Sequence, residues 1–293
     1  MNNQDINIKL NDGGYLYPIK VLETKDALDL SHYYNQTKNK IMKRNLILEH
    51  KFKSHLIFKR INDLIRNKKM LDIAEKIIGP NILCWNSIIF YKKKNSKTFV
   101  GWHEDKTYWN LDNDKVLTFS IALSNSTIKN GCLKFLKKKR KVNYEILKSN
   151  YNMLARGQNA ILSEDDEFEE IELNPGESCI FRQDAVHGSG ENNSDEDRFL
   201  LAIRYIATDN KTRKNHTSAT LVRGTDEHNF YDHEPTPLED FDKKSMKYHQ
   251  KLMSKQTQVF AEYKLKKYKL NFLSFLVKIP FVRYIYYCLA KKI

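Results

Sequence analysis

A histidine and an aspartate lie two positions apart in the segment Gly101-Trp102-His103-Glu104-Asp105. Residues two apart in a β-strand point to the same face, so His103 and Asp105 are predicted to reach one metal ion together. A distant histidine, His187, can supply a third ligand. Two histidines and one carboxylate on one face of a metal ion form a site typical of non-haem Fe(II) oxygenases. The pattern therefore indicates an iron site.

Three protein ligands leave three positions of an octahedral iron free, enough for a bidentate 2-oxo acid and for dioxygen. The far carboxylate of such a cosubstrate needs a fixed cation, and a guanidinium fits because it can bind both carboxylate oxygens. Arg198 follows His187 in the sequence and is the candidate. Arg204 shares its parity on the same predicted strand, and we expect it to support the site or the fold instead.

Longer motifs surround these residues. The first reads Trp102-His103-Glu104-Asp105-Lys106-Thr107-Tyr108-Trp109, the second reads Asn130-Gly131-Cys132-Leu133-Lys134-Phe135, and the third runs from His187 through Ser189 and Arg198 to Ile203-Arg204-Tyr205. With the later segment Thr220-Leu221-Val222-Arg223-Gly224, they resemble motifs of the phytanoyl-CoA dioxygenase family. The resemblance extends over roughly residues 15 to 250.

The resemblance implies a double-stranded β-helix, or jelly roll, that uses Fe(II), 2-oxoglutarate and dioxygen. In the family's motifs, His103, Asp105 and His187 match the iron ligands, and Arg198 matches the arginine that binds 2-oxoglutarate. Ser189 matches a hydroxyl group that helps to hold the same carboxylate. Halogenating relatives carry a small residue in place of the carboxylate, so the presence of Asp105 implies hydroxylation.

Four more residues are candidates for the pocket. Asn86 and Lys92 share one parity on a predicted strand, and Tyr108 and Trp109 directly follow the metal-binding segment. The alternatives are that Asn86 satisfies a local backbone group, that Lys92 extends to solvent, and that the two aromatic residues belong to the core.

One segment departs from the family pattern. Relatives continue from the second motif into a Pro-Gly-Ser-His turn, whereas this chain reads Leu136-Lys137-Lys138-Lys139-Arg140-Lys141. We interpret this basic loop as a hint that the small-molecule substrate is anionic or linked to a carrier.

The remaining chain must position these residues. Apolar periodicity predicts helices over residues 25–44, 55–67 and 69–78. Apolar runs between turn signals predict strands over 15–20, 82–91, 99–105, 116–124, 131–136, 169–173, 178–181 and 199–206. Many short strands favour a mainly β, closed or double-sheet architecture with flanking helices. We expect the dioxygenase domain at residues 1–245 and a basic, apolar tail at 246–293.

Composition limits the partners and the compartment. The net charge is +14, but the lysines are dispersed among acidic residues, so a nucleic-acid partner is not expected. The cysteines show no metal-binding spacing and favour reduced thiols in the cytoplasm. Lys278, Pro280 and Arg283 interrupt the apolar end, so a spanning helix is not predicted. The tail is expected either to contact a membrane surface or to pack on protein.

The leading hypothesis is an Fe(II)- and 2-oxoglutarate-dependent dioxygenase that hydroxylates a small molecule. One alternative is a non-catalytic jelly-roll binding protein that retains the metal pocket. Another is a cupin-like metal enzyme that needs no keto acid.

Overall fold

The computed structural model describes residues 10, 12–43, 50–147, 149, 151–154, 157–213 and 217–254. The strands are β1 (Tyr15–Lys20), β2 (Ile82–Lys92), β3 (Val100–His103), β4 (Val116–Ala122), β5 (Leu133–Leu136), β6 (Tyr144–Ile146), β7 (Gln158–Ala160), β8 (Phe168–Ile171), β9 (Glu177–Phe181), β10 (His187–Ser189), β11 (Arg198–Ala207), β12 (Ser218–Arg223) and β13 (Asp232–His233). The helices are α1 (Thr24–Lys43), α2 (Lys59–Leu64), α3 (Lys68–Ile78), α4 (Lys106–Trp109) and α5 (residues 243–254), with a 3₁₀ turn at Ser54–Leu56.

Two packed sheets form the body of the protein. The larger has seven strands in the order β1-β9-β4-β11-β2-β12-β13, and the smaller has four in the order β3-β10-β5-β8. Neighbouring strands are antiparallel except for the parallel pair β12 and β13. An apolar cluster joins Leu200 and Phe181 of the larger sheet to Phe135 and Ile171 of the smaller one. The predicted jelly-roll fold is confirmed.

Alternate residues of β11 belong to two different cores. Leu201, Ile203 and Tyr205 pack under the helices, whereas Leu200 lies between the two sheets. Because both faces of this strand are buried, it reads as a nearly continuous apolar run. Arg198 and Arg204 interrupt that run.

The helices brace the outer face of the larger sheet. In α3, the side chain of Asn67 accepts a hydrogen bond from the Met70 amide at 3.1 Å and caps the first turn. Met70, Ala74 and Ile78 are buried in the core that this helix shares with the sheet. Burial of a large apolar side chain such as Met70 contributes about 1.5–3 kcal/mol.

The helix predicted over residues 55–67 is wrong in its extent. A 3₁₀ turn at Ser54–Leu56 precedes the short helix α2, and Phe58 between them has extended backbone angles (φ −107°, ψ 115°). The apolar spacing of this segment arises because both pieces face the same core, although they are not one helix.

Helix α5 joins the segment predicted as a tail to the folded domain. The buried His249 donates from Nε2 to the carbonyl of Phe52 at 2.7 Å, and Met246 enters the core. The rest of that segment lies outside the described residues, so a membrane-binding or protein-packing role for it stays a prediction. In the described ranges, no helix is long and apolar enough to cross a membrane.

Candidate metal centre and cosubstrate pocket

Strand pairing brings the two predicted histidine ligands together. His187 on β10 lies directly opposite His103 on β3, and their ring centroids are 4.2 Å apart. Each Nδ1 faces a backbone carbonyl, that of Gly101 at 2.9 Å for His103 and that of Ala185 at 3.0 Å for His187. A carbonyl can only accept, so each Nδ1 carries the proton and each Nε2 keeps a lone pair for a metal ion.

Asp105 completes the cluster by a different route from the predicted one. The prediction that it lies on the metal-binding strand is wrong, because β3 ends at His103 and Asp105 has helical angles (φ −60°, ψ −32°) before α4. The turn is held by the Lys106 amide, which donates to the Gln183 carbonyl at 2.9 Å. Asp105 Oδ1 lies 3.8 Å from His103 Nε2. Potential ligand atoms of His103, Asp105 and His187 all lie within 4.8 Å of one another.

The cluster is buried and its histidines are neutral. Burial lowers the pKa of His103, and burial with the neighbouring His103 lowers the pKa of His187 to about 3. Rings of Phe135 and Phe181 lie 5.3 and 4.7 Å from the His187 ring and fix its position. Neutral imidazoles and a carboxylate are the donor set that an Fe(II) site requires, so these residues fit the predicted metal.

Arg204 lies beside the aspartate. Its Nη2 is 3.5 Å from Asp105 Oδ2, at the limit of a hydrogen bond, and its guanidinium carbon lies 4.9 Å above the Trp109 ring. The two carboxylate oxygens of Asp105 thus face different partners: Oδ1 faces His103 Nε2, and Oδ2 faces the Arg204 guanidinium.

A pair of buried cations occupies the other end of the same inner face. Arg198 on β11 lies opposite Lys92 on β2. Lys92 Nζ donates to Ser189 Oγ at 2.8 Å and to the carbonyl of Gly190, and Arg198 Nη1 donates to the carbonyl of Gly131. In the described part of the chain, no acidic side chain forms an ion pair with either cation.

The pKa values show how poorly these two cations are compensated. Burial, and then the positive charge of Arg198, lowers the pKa of Lys92 to about 6. Burial lowers the pKa of Arg198 to about 10. A desolvated guanidinium without a carboxylate partner, beside a lysine that an anion would help to protonate, forms a site that favours a bound anion.

The other residues predicted to line the pocket are Tyr108, Trp109 and Asn86, and each makes a different contact. The Tyr108 ring is 6.0 Å from the His103 ring, and Trp109 is buried in an apolar cluster with Leu83 and Ile206. Asn86 faces the same side of the sheet as Arg204, and its Oδ1 accepts from the Lys53 amide at 3.3 Å.

Sequence reasoning missed the contacts that hold the ligands. It did not find the carbonyls of Gly101 and Ala185 that orient the histidines, nor Phe135 under His187. Phe135 lies in the second motif, but its contact depends on strand register. A cavity of about 230 Å³ lies against β3 and β10 and reaches Ser189, without contacting the three clustered residues.

Three of the five basic residues in the loop after β5 form ion pairs within the protein. Lys137 pairs with Glu167 at 2.9 Å, Lys139 with Asp184 at 3.0 Å, and Arg140 with Asp166. These three charges therefore give no support of their own to an anionic or carrier-linked substrate.

A jelly roll that carries a buried His-x-Asp…His cluster has the donor set and scaffold typical of a non-haem iron protein. A family model described as phytanoyl-CoA dioxygenase (PhyH) matches residues 22–200. The chain belongs to this family, and the resemblance seen in its motifs is confirmed.

Known proteins support the same assignment. A curated relative, a probable alpha-ketoglutarate-dependent hypophosphite dioxygenase of Stutzerimonas stutzeri, is 29% identical over 160 residues, which are 53% of this chain and 56% of the relative. The match thus spans little more than half of that relative's length.

Solved structures share the fold. A nickel complex of the non-heme monooxygenase ThoJ superimposes with a TM-score of 0.72 at 22% identity, covering 87% of this chain and 98% of that one. CytC3 with Fe(II) and alpha-ketoglutarate gives a TM-score of 0.62 at 19% identity, covering 83% and 96%.

Proposed function

We propose that this protein is an Fe(II)- and 2-oxoglutarate-dependent dioxygenase that hydroxylates a small-molecule substrate. The observation that carries the proposal is the buried group of His103, Asp105 and His187, whose potential ligand atoms lie within 4.8 Å of one another. Both histidines already present the correct tautomer for metal binding. When bound, iron and 2-oxoglutarate supply oxygen activation, with release of CO2 and succinate and transfer of one oxygen atom to a C–H bond.

The chain's own residues would bind and orient the cosubstrate. Arg198 and Lys92 provide the charge for its far carboxylate, and Ser189 Oγ, which accepts from Lys92, can donate its own proton to that group. His187 and Ser189 lie two apart on β10, so both face the inner pocket. One strand therefore links the metal end to the carboxylate end, and burial of these groups excludes water from the site.

The substrate is proposed as a small molecule, free or linked to a carrier. The name of the curated relative identifies a small phosphorus compound as that protein's substrate, which supports a small molecule as the substrate class. The non-catalytic alternative gains nothing from the geometry, since the described cluster has all three ligand side chains.

An anaerobic titration tests the proposal. Protein loaded with Fe(II) should develop a visible charge-transfer band when 2-oxoglutarate is added, and exposure to oxygen should release succinate in an iron-dependent manner. The variant His187→Ala should lose both signals, whereas His233→Ala, at an exposed position, should keep them. Absence of the band from iron-loaded, folded wild type would exclude the proposed function.

A further inference from the structure

Polar side chains cross the inner face of the larger sheet beside the metal centre. Arg204 on β11 lies opposite Thr118 on β4 and opposite Asn86 on β2. Because directly opposed residues of antiparallel strands share a face, the three side chains form one row. Farther along the same face, the row formed by Ala122, Leu200 and Phe90 is apolar. This apolar row separates the polar row at Arg204 from the pair of Arg198 and Lys92 at the other end of the face.

Arg204 retains hydrogen-bond donors that nothing in the described structure uses. Its contact with Asp105 Oδ2 is long, at 3.5 Å, and its Nε is buried with no partner. The hydroxyl of Thr118, its neighbour across the strands, is also buried and has no partner. Arg204 is only 8% exposed and Thr118 1%, so solvent does not readily satisfy these groups. An acceptor bound between them would satisfy both.

The charge of the site favours an anionic acceptor. Asp105 is the acidic side chain that contacts Arg204, and a metal ion would share its charge. The dianionic cosubstrate would in turn be held by Arg198 and Lys92 at the other end of the face. The charge of Arg204 would then remain largely uncompensated in a desolvated position, where electrostatic interactions are strong.

Aromatic rings lie beside this guanidinium. Trp109 lies under Arg204, Trp85 contacts Trp109 at 5.5 Å between ring centroids, and Tyr231 is 6.5 Å from Trp85. These rings meet edge to face, with 85° between the planes of Trp85 and Trp109, so aromatic surface borders the guanidinium and favours an organic ligand that carries an anionic group.

We propose that Arg204, together with the Thr118 hydroxyl, binds an anionic group of the primary substrate and holds that substrate beside the metal centre. The substrate class is a small carboxylate or phosphonate. This inference rests on the proposed function, because it assigns the substrate side of the same site. Arg204 thereby differs in role from Arg198, although both lie on one strand and face inward.

Calorimetry on anaerobic protein, loaded with Fe(II) and saturated with 2-oxoglutarate, tests the inference. The probes are propionate and methylphosphonate, with the neutral propionamide as the matched control. We expect saturable binding of at least one anion and none of the amide, with a shift of the charge-transfer band that reports a ligand near iron. The anion that binds more tightly assigns the carboxylate or the phosphonate class.

Variants separate substrate binding from a purely structural role. Arg204→Gln should weaken anion binding at least tenfold, Arg204→Lys should weaken it less, and Thr118→Val should cause a smaller loss with the fold preserved. Arg213→Gln, at an exposed arginine, should change nothing. If Arg204 only orients Asp105, Arg204→Gln will weaken Fe(II) binding but leave anion affinity of the loaded protein unchanged, which overturns the inference.

The two proposals fail in different ways. If wild-type protein forms the charge-transfer band but binds neither anion, the inference about Arg204 is wrong and the dioxygenase proposal stands. If no band forms, the proposed function itself fails.

Discussion

Lys92 lies directly opposite Arg198 on neighbouring antiparallel strands, and Lys92 also donates a hydrogen bond to Ser189 on the facing sheet. This contact joins the two sheets at the cosubstrate end of the pocket. Ser189 in turn lies two residues after His187, a spacing of about 6.8 Å along a strand. That distance suits a ligand such as 2-oxoglutarate, which must reach from the metal to the two cations.

Removal of either cation should weaken the binding of 2-oxoglutarate. A charged hydrogen bond contributes roughly 1.5–3 kcal/mol, so Arg198→Ala should raise the dissociation constant by about tenfold to a hundredfold or more. Lys92→Met should raise it by about tenfold, with Fe(II) affinity preserved in both variants. Anaerobic titration of the charge-transfer band measures the constant. Lys93→Met, at the exposed neighbouring lysine, is the control and should match wild type.

Binding of 2-oxoglutarate should also depend on pH through Lys92. The pKa of Lys92 is lowered to about 6 by burial in the free protein, so the side chain is mostly neutral at higher pH. A bound anion favours the charged form of Lys92, so the binding of 2-oxoglutarate is coupled to the uptake of one proton by this side chain. The affinity for 2-oxoglutarate should therefore fall as pH rises from 6 to 8.5, by up to tenfold per pH unit. The pKa of His187, about 3, lies outside this window.

The lowered pKa of Lys92 also makes the stability of the folded protein depend on pH. Between pH 6 and the ordinary pKa of lysine, 10.5, the unfolded chain binds more protons at Lys92 than the folded chain does. The ligand-free protein should therefore gain stability as pH rises through this window. Lys92→Met should flatten both the stability profile and the affinity profile, and a pH-independent 2-oxoglutarate affinity in wild type would contradict the assignment.

The sequence was most informative where a motif and a local pattern coincide. The helix over Lys68–Ile78 was predicted within one residue, because its apolar spacing and the terminating Gly79-Pro80 agree. The grouping of His103, Asp105 and His187 was anticipated from residue types and motifs. Arg198 was predicted to face inward and to bind the far carboxylate of the cosubstrate; the structure places it opposite Lys92 on the inner face, and its binding role stays a prediction.

Features that depend on strand register or on a turn could not be predicted from local sequence patterns. Asp105 reaches the cluster through a helical turn after β3, not through strand alternation. The short strand His187–Ser189 contains two small residues and shows no apolar alternation, so it is recognisable only from its partners β3 and β5. The contact between Lys92 and Ser189 requires two sheets to pack, which no local pattern specifies.

Iron should stabilise the folded protein. A ligand at a hundred times its dissociation constant adds about 2.7 kcal/mol, which should raise the Tm by several degrees in a domain of this size. Anaerobic thermal unfolding with Fe(II), compared with chelator-treated protein, measures the change. His187→Ala should abolish the shift, and His233→Ala, whose side chain is 48% exposed and pairs with Asp226, should retain it. A full shift in His187→Ala would mean that iron binds elsewhere.

A second buried charge network surrounds Glu234. Glu234 is fully buried and accepts from Lys53 Nζ at 2.6 Å, His55 Nε2 at 2.8 Å, Ser218 Oγ at 2.7 Å and Thr220 Oγ1 at 2.8 Å. Burial alone would raise the pKa of Glu234, but Lys53 and His55 outweigh it and hold the pKa well below its usual range. Burial lowers the pKa of His55, so Lys53 supplies the balancing positive charge.

Removal of the Glu234 charge should therefore destabilise the fold strongly. Glu234→Gln leaves Lys53 buried without a counter-charge, which typically costs about 3–5 kcal/mol. The double variant Glu234→Gln with Lys53→Met should recover much of that loss, and Glu167→Gln, at a 75% exposed carboxylate, should leave the stability nearly unchanged. Denaturant unfolding of metal-free protein measures all three. If Glu234→Gln and Glu167→Gln lose equal amounts of stability, the buried network contributes little to the free energy of unfolding.

The pH dependence of the stability of wild type, Glu234→Gln and Glu167→Gln tests the electrostatic role of Glu234 independently. A carboxyl group with a depressed pKa in the folded state contributes stability above its unfolded pKa, here near 4.5, and loses it as pH falls toward the folded value. The stability difference between wild type and Glu234→Gln should thus be constant near neutral pH and should shrink below pH 4.5. Glu167→Gln, at a solvated surface pair, should show only a small difference throughout, because solvent and salt weaken that interaction. A difference for Glu234→Gln that does not change with pH would locate its effect in packing, and would remove the electrostatic explanation for this buried carboxylate.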